Sequence, residues 1–233
     1  MNRKRQLSIT LMALTLLLLL VGCQTNKSPV GNSPVSMKTV TQNSKGDLAT
    51  FEFGVPEGWA SGPHYNLSVV ACPKDAAEKK FEAEEDSLPF TVSIGNYYYS
   101  ASAITEEDKQ MYKDLFAGKT NAYEKHMKKS FDNAANILSS DQSSKVNPPK
   151  IDFNYQHYDG THGKITEVQY SYTYGGKKHH IIQCYREDIP YLVTGAFDDS
   201  VDLSSGKIAL WVADSLKVTE HFTVKDNKIQ KEG

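Results

Sequence analysis

Apolar and polar residues alternate with a period of two along several stretches of this chain. Phe90, Val92 and Ile94 fall on one face, with Thr91 and Ser93 on the other, and the run continues into Tyr97-Tyr98-Tyr99. Over Ile165–Tyr174, Val168, Tyr170, Tyr172 and Tyr174 share a face opposite Glu167, Gln169, Ser171 and Thr173. Such alternation predicts half-buried strands. Ala49–Val55, closed by Pro56-Glu57-Gly58-Trp59, and Leu67–Cys72, stopped by Pro73, are two further strands. Gly175-Gly176 predicts a tight hairpin into Lys178–Arg186, and Glu187-Asp188 turns the chain again into Tyr191–Phe197.

The period changes after Thr105. Thr105-Glu106-Glu107-Asp108 places a capping hydroxyl before three acids, a favourable start because the first N–H groups of a helix lack partners. Met111/Tyr112, Leu115/Phe116, Ala122/Tyr123, His126/Met127 and Phe131 then recur at helical spacing. Gly118 predicts a break, with Asn121 and Glu124 opening a second helix that ends near Phe131. Asn133–Lys150 reads as a polar loop, and Asp75–Glu85 as charged loop or frayed helix. Ser204 or Ser205 caps a last helix running to Lys217 that buries Ile208, Trp211, Val212, Ser215 and Leu216. Strands, helices, a three-strand meander and a final helix make an α+β chain, an antiparallel sheet flanked by helices. One sheet face is expected to meet water in places and the other to be roofed.

The first residues follow a different logic. Arg3-Lys4-Arg5 precede an apolar stretch from Leu7 to Val21, which then closes on Leu20-Val21-Gly22-Cys23. The stretch is short for a membrane span and suits a signal h-region. Leu-Val-Gly-Cys resembles the bacterial lipobox, and that resemblance implies cleavage after Gly22. It further implies a diacylglycerol thioether, with or without an N-acyl chain, on Cys23. Two or more acyl chains give stable anchoring where one does not. An ordinary signal peptide or an uncleaved anchor, with Cys23 incidental, is the alternative. Residues 24–47 are rich in Ser, Thr, Asn, Gly and Pro and are expected to form a flexible tether. The organisation is therefore signal peptide 1–22, acylated Cys and tether 23–47, globular domain 48–224 and charged tail 225–233. It places the body outside the cytoplasm, on the outer face of the cell membrane or at an outer membrane where a second one exists.

Composition narrows the function. The 233 residues carry 26 Lys and Arg against 28 Asp and Glu, and loss of residues 1–22 leaves 23 against 28. A mildly acidic chain lacks the basic field that nucleic-acid binding requires. The 13 Tyr and 9 Phe suffice for one sizeable core.

Phe51-Glu52-Phe53-Gly54-Val55-Pro56-Glu57-Gly58-Trp59 resembles the opening of PsbP-like domains. Thr166–Tyr174 with its Gly-Gly turn, Tyr191–Thr194 and Val212-Ala213-Asp214-Ser215-Leu216-Lys217-Val218 resemble their close, so that the likeness covers roughly residues 48–224. DcrB-like bacterial lipoproteins are similar in arrangement. The resemblance implies an α/β/α sandwich used as a binding or assembly module, with no catalytic machinery to carry over and no photosystem role.

Candidate chemistry is sparse. No Gly-x-Ser-x-Gly or His-Glu-x-x-His motif occurs, and no phosphate-binding glycine loop. His157, Asp159 and His162 could converge on a divalent ion, or Asp159-Gly160 could be a hairpin turn with the imidazoles beside it. His179 and His180 are adjacent in a strand and point to opposite faces. Cys72 and Cys184 are either bridged or separately buried thiols. Tyr97, Tyr99, Tyr170, Tyr172 and Tyr174 are either a binding face for a glycan or protein partner or packing beneath a helix. No cofactor is expected apart from the acyl chains on Cys23. The expected partners are the lipid bilayer and an envelope protein or glycan. The sum is a non-enzymatic, membrane-anchored binding and assembly module, with a ligand- or glycan-binding module using the Tyr-rich sheet face, or a metal-dependent hydrolase, as alternatives.

Overall fold

The computed structural model describes residues 28–33, 35–44, 49–64, 68–76, 90–96, 105–141, 151–174, 176–225 and 228–232. Residues 1–27, with Cys23, lie outside this set, as do Tyr97, Tyr98, Tyr99, Gly175, most of Asp75–Glu85 and residues 142–150.

Eight strands form the larger sheet: β1 (Ser28–Pro29), β4 (Trp59–Pro63), β5 (Ser68–Pro73), β6 (Phe90–Asn96), β7 (Asn154–Asp159), β8 (Lys164–Tyr174), β9 (Lys177–Arg186) and β10 (Tyr191–Asp198). Their order is β1-β7-β8-β9-β10-β6-β5-β4, and every pairing is antiparallel except the parallel contact of β1 with β7. A smaller antiparallel sheet has the order β12-β11-β3-β2, from β2 (Met37–Asn43), β3 (Ala49–Pro56), β11 (Lys217–Lys225) and β12 (Lys228–Glu232). The register turns the alternating side chains into a continuous wall. Ile94 faces Val193 across the β6/β10 ladder, and Phe90 faces Phe197. Tyr191, Val193, Gly195 and Phe197 are all buried, with the intervening residues only half so.

Among the described residues, three helices cover the larger sheet. Helices α1 (Glu106–Phe116) and α2 (Asn121–Asp141) lie on one face, where Met111, Tyr112, Leu115 and Tyr123 pack with Val168 and Tyr185. Thr105 and Asp108 exchange hydrogen bonds in the expected capping box, and Gly118, at φ 78°, lets the chain leave α1 in the left-handed region. Helix α3 (Lys207–Ser215) lies on the other face, between β8–β10 below and β3 above. Its close approach to the sheet relies on small residues: a Cβ at Gly195 would stand 3.1 Å from Ala209 Cβ. Phe51, Phe53 and Val55 of β3 complete the main core with Ile94, Val193, Leu210, Val212 and Leu216. The expected helix–sheet–helix order is present, with a second sheet beyond α3.

Several expectations need correction. The tether assigned to residues 23–47 contains β1 and β2; β2 pairs along its whole length with β3, from Met37↔Pro56 to Asn43↔Thr50. Its composition is poor in apolar residues, but Met37 and Val40 reach the core and β3 supplies the ladder. The tail assigned to 225–233 contains β12, paired with β11. Helix α2 runs ten residues past Phe131, because the buried Ala135 continues at i+4 the stripe of buried Tyr123 and half-buried Met127 and Phe131. Helix α3 begins at Lys207 after a short 3-10 turn, with Gly206 and no side chain at its cap. The Glu167 face of β8, expected to meet water in places, is turned inward: Glu167 is 1% exposed because the layer of α3 covers it.

Candidate functional site

The inward faces of β7 to β10 form a floor that α3 covers only in part. Along one row Asn154 faces Gln169, which faces Ile182. Along the next, Ser171 faces His180, which faces Phe197. Lys207, the first residue of α3, overhangs them, and the space between is an open cavity of about 300 Å³. Its lining joins hydrogen-bonding side chains of both senses to an apolar patch from Ile182 and Phe197.

The polar groups behind this floor are tied to one another. Gln169 donates its Nε2 hydrogen to Glu167 Oε1 at 2.5 Å. Burial pushes the Glu167 carboxyl above its ordinary range, and the Gln169 bond and the Lys207 charge pull it part of the way back. Cys184 stands directly opposite Glu167; burial first, and that carboxylate second, raise its thiol well above the usual range. On the neighbouring strand β7 the Tyr158 hydroxyl donates to Gln156 Oε1.

His180 is the imidazole of the cavity wall. Its Nε2 lies 2.8 Å from Asp199 Oδ1, and its ring stacks on Phe197 at 5.3 Å and 18°. An ionised carboxylate only accepts, so Nε2 carries the hydrogen and a neutral ring presents Nδ1 as an acceptor. Ser171, His180 and Asp199 are the residue types of a nucleophile, a base and an orienting acid. Of the two bonds that such a relay needs, the structure makes the one between His180 and Asp199. Sequence reasoning missed this row because only the β8/β9 register sets Ser171 against His180.

A second groove, of about 290 Å³, runs between the smaller sheet and the turn after β7. Here the polar side chains hold the fold together. Asp214 accepts from the Thr161 backbone N–H at 2.5 Å and from its hydroxyl at 2.8 Å. The Gly54 N–H donates to Ser215 Oγ at 2.8 Å, Ser215 donates to the Val212 carbonyl, and Lys217 pairs with Glu52 at 2.7 Å.

The sequence-derived candidates are dispersed. His157 lies on the α1/α2 side of β7, 3.1 Å from the Thr166 hydroxyl. Asp159 ends that strand, and His162, in the following turn, lines the second groove. Among the described residues no group of three or more His, Cys, Asp or Glu side chains is placed to hold an ion. Asp159-Gly160 does open a hairpin turn, closed by the Gly160 N–H on the Gly163 carbonyl.

Cys72 and Cys184 are both buried and are not joined to each other. Their strands are separated by β10 and β6, about 14 Å at the usual strand spacing. In addition Cys184 faces the main core with Val193, whereas Cys72 alternates with the core residue Ala71 and lies on the opposite face. A bridge requires Cα atoms within about 7 Å.

Tyr170 and Tyr172 pack beneath α2, with Phe131 6.0 Å from one ring and 5.9 Å from the other. Phe153 also packs on Tyr170, and the His179 ring stacks on Tyr172. They are roofed and half-buried, where an open binding face had been the other expectation. Tyr174 ends β8, and Tyr97 and Tyr99 lie outside the described residues.

No family model matches the chain, and no curated protein matches it. Among solved structures the chain is similar to the solution structure of cyanobacterial PsbP (CyanoP) from Synechocystis sp. PCC 6803. The identity is 16% and the TM-score 0.39, over 81% of this chain and 95% of that chain.

Proposed function

We propose that this chain is a non-enzymatic binding module of the cell envelope, tethered through acylated Cys23, whose ligand site is the cavity beside α3. The observation that carries the reading is that cavity: an open, mixed polar and apolar floor set against a rigid sheet. Lys207 and Asp152 line the cavity as one cation and one carboxylate, with Glu167 behind Gln169, so the site has no strong net charge of either sign. Such a lining suits a small uncharged solute rich in hydroxyl and amide groups, and a sugar residue is the simplest example. The basic n-region, apolar stretch and Leu-Val-Gly-Cys motif support the tether. Packing of Tyr170 and Tyr172 beneath α2 argues against a glycan face built on them, and the dispersal of His157, Asp159 and His162 argues against a metal-dependent hydrolase.

The test is calorimetric titration of the acylated full-length protein, in detergent micelles, with the trimer of N-acetylglucosamine. Saturable binding that is lost in Asn154→Leu and Gln169→Leu is expected. An absence of heat, or binding unchanged in both variants, would overturn the assignment.

A further inference from the structure

The fold takes hold of its chain much earlier than a stalked domain would. Ser28 pairs with Tyr158 and Pro29 with Asp159, at the outer edge of the eight-stranded sheet. Val30 packs against the main core, and the Gly31 carbonyl accepts the Trp211 indole hydrogen at 2.8 Å. From Met37 onward the chain is a strand of the smaller sheet. Cys23 precedes Ser28 by five positions. A fully extended chain of that length covers about 17 Å, and no conformation reaches further.

We infer that the body rests against the lipid headgroups by its β1–β7 edge and does not stand off on a flexible stalk. The inference rests on the acylation of Cys23 proposed above, and chain length supplies the constraint. The partner is the bilayer surface itself. Exposed Gln156, Asp159 and Lys164 lie beside the strand pair where the chain enters the fold. This rim is polar and of mixed charge, suited to the hydrated headgroup layer and unsuited to hydrocarbon. β4 lies at the other edge of the sheet, seven strands along in the ladder order.

The chain has two tryptophans, and the fold places them as a near and a far probe. Trp211 is bonded to the strap beside the attachment point, and Trp59 lies on β4. Energy transfer to dansyl-headgroup lipid is measured on the acylated full chain in phosphatidylethanolamine/phosphatidylglycerol vesicles. Trp59→Phe leaves Trp211 as donor, and Trp211→Phe leaves Trp59. A third protein carries Trp59→Phe and a Gly/Ser spacer between Asn26 and Lys27, of about 20 residues and thus ~25 Å of added reach. The wild type with the same spacer keeps the test independent of the tryptophan replacements. Incorporation of labelled palmitate is measured for each protein.

Transfer several-fold greater from Trp211 than from Trp59, and a clear fall on adding the spacer in either background, is the expected result. Equal transfer from the two donors that the spacer leaves unchanged, with palmitate incorporated, would overturn the apposition and leave the anchor standing. Failure to incorporate palmitate would overturn the anchor and the apposition together.

Discussion

Arg186 holds the end of helix α3 through Leu216: its Nη1 donates to the Leu216 carbonyl at 2.7 Å and to the Ala213 carbonyl at 2.9 Å. The last carbonyls of a helix have no partner within it, and here a guanidinium from β9 supplies one. Asp188 accepts from Nε and Nη2 of the same group, at 2.7 and 2.6 Å. The Arg186 side chain is 3% exposed and that of Asp188 36%, so the charge is met at the edge of the core. Helix, meander and turn are thereby locked together next to the β1–β7 edge.

Removal of Arg186 should therefore be costly. Arg186→Met leaves two helix-end carbonyls and one carboxylate without their donor, and about 3 kcal/mol of stability should be lost. Asp188→Asn keeps the carbonyl bonds and should cost about 1 kcal/mol, because Asp188 is partly solvated. Urea unfolding monitored by circular dichroism measures both. Equal losses in the two variants would remove the helix-end role.

Glu167 carries a sign that pH can read. Its carboxyl titrates higher in the folded chain than in the unfolded one, because burial disfavours the charged form. The folded state therefore binds its proton more tightly. The stability this contributes is complete below the unfolded value and is lost as pH rises through the folded value. Glu167→Gln should be more stable than wild type at pH 8, and the gap should close toward pH 4. Thermal melts across that range would show a constant gap if the carboxyl were unperturbed.

Gly206 precedes α3 where a serine would ordinarily improve the cap by only a few tenths of a kcal/mol. Here a Cβ would run into the end of Ile182 and stand 3.1 Å from the Phe197 ring. Gly206→Ser should thus destabilise, by about 1–3 kcal/mol, since overpacking outweighs the cap. A raised melting temperature would contradict this packing.

The thiols give a count. On the denatured, unreduced protein, Cys72 and Cys184 should both react with a thiol reagent, and neither should react readily in the folded state. Loss of both signals until a reductant is added would mean that they are bridged.

The strands that alternate cleanly were legible from their residues, and so were the Thr105 cap and the break at Gly118. Phe90–Ile94 needed only its period to reveal which face is buried. Other elements depend on partners far along the chain. Met37–Asn43 is polar enough to read as a tether and becomes a strand because β3 lies open beside it. Asn154–Asp159, with residues Asn-Tyr-Gln-His-Tyr-Asp, has no simple alternation, yet β8 draws it into a ladder. Glu167 looked solvent-facing because nothing local reveals that α3 is enclosed by two sheets. The cavity was hidden for the same reason. Ser171, His180 and Lys207 meet through register and helix placement, neither of which the local pattern encodes.

The proposed acylation of Cys23 decides where all of this takes place. The most direct measurement is labelled palmitate incorporation together with vesicle co-sedimentation, for the wild-type chain and for Cys23→Ser. Label and sedimentation in the wild type, both lost in the variant, are the predicted result. A wild type that takes up no label, or a Cys23→Ser chain that still sediments with the vesicles, would contradict it.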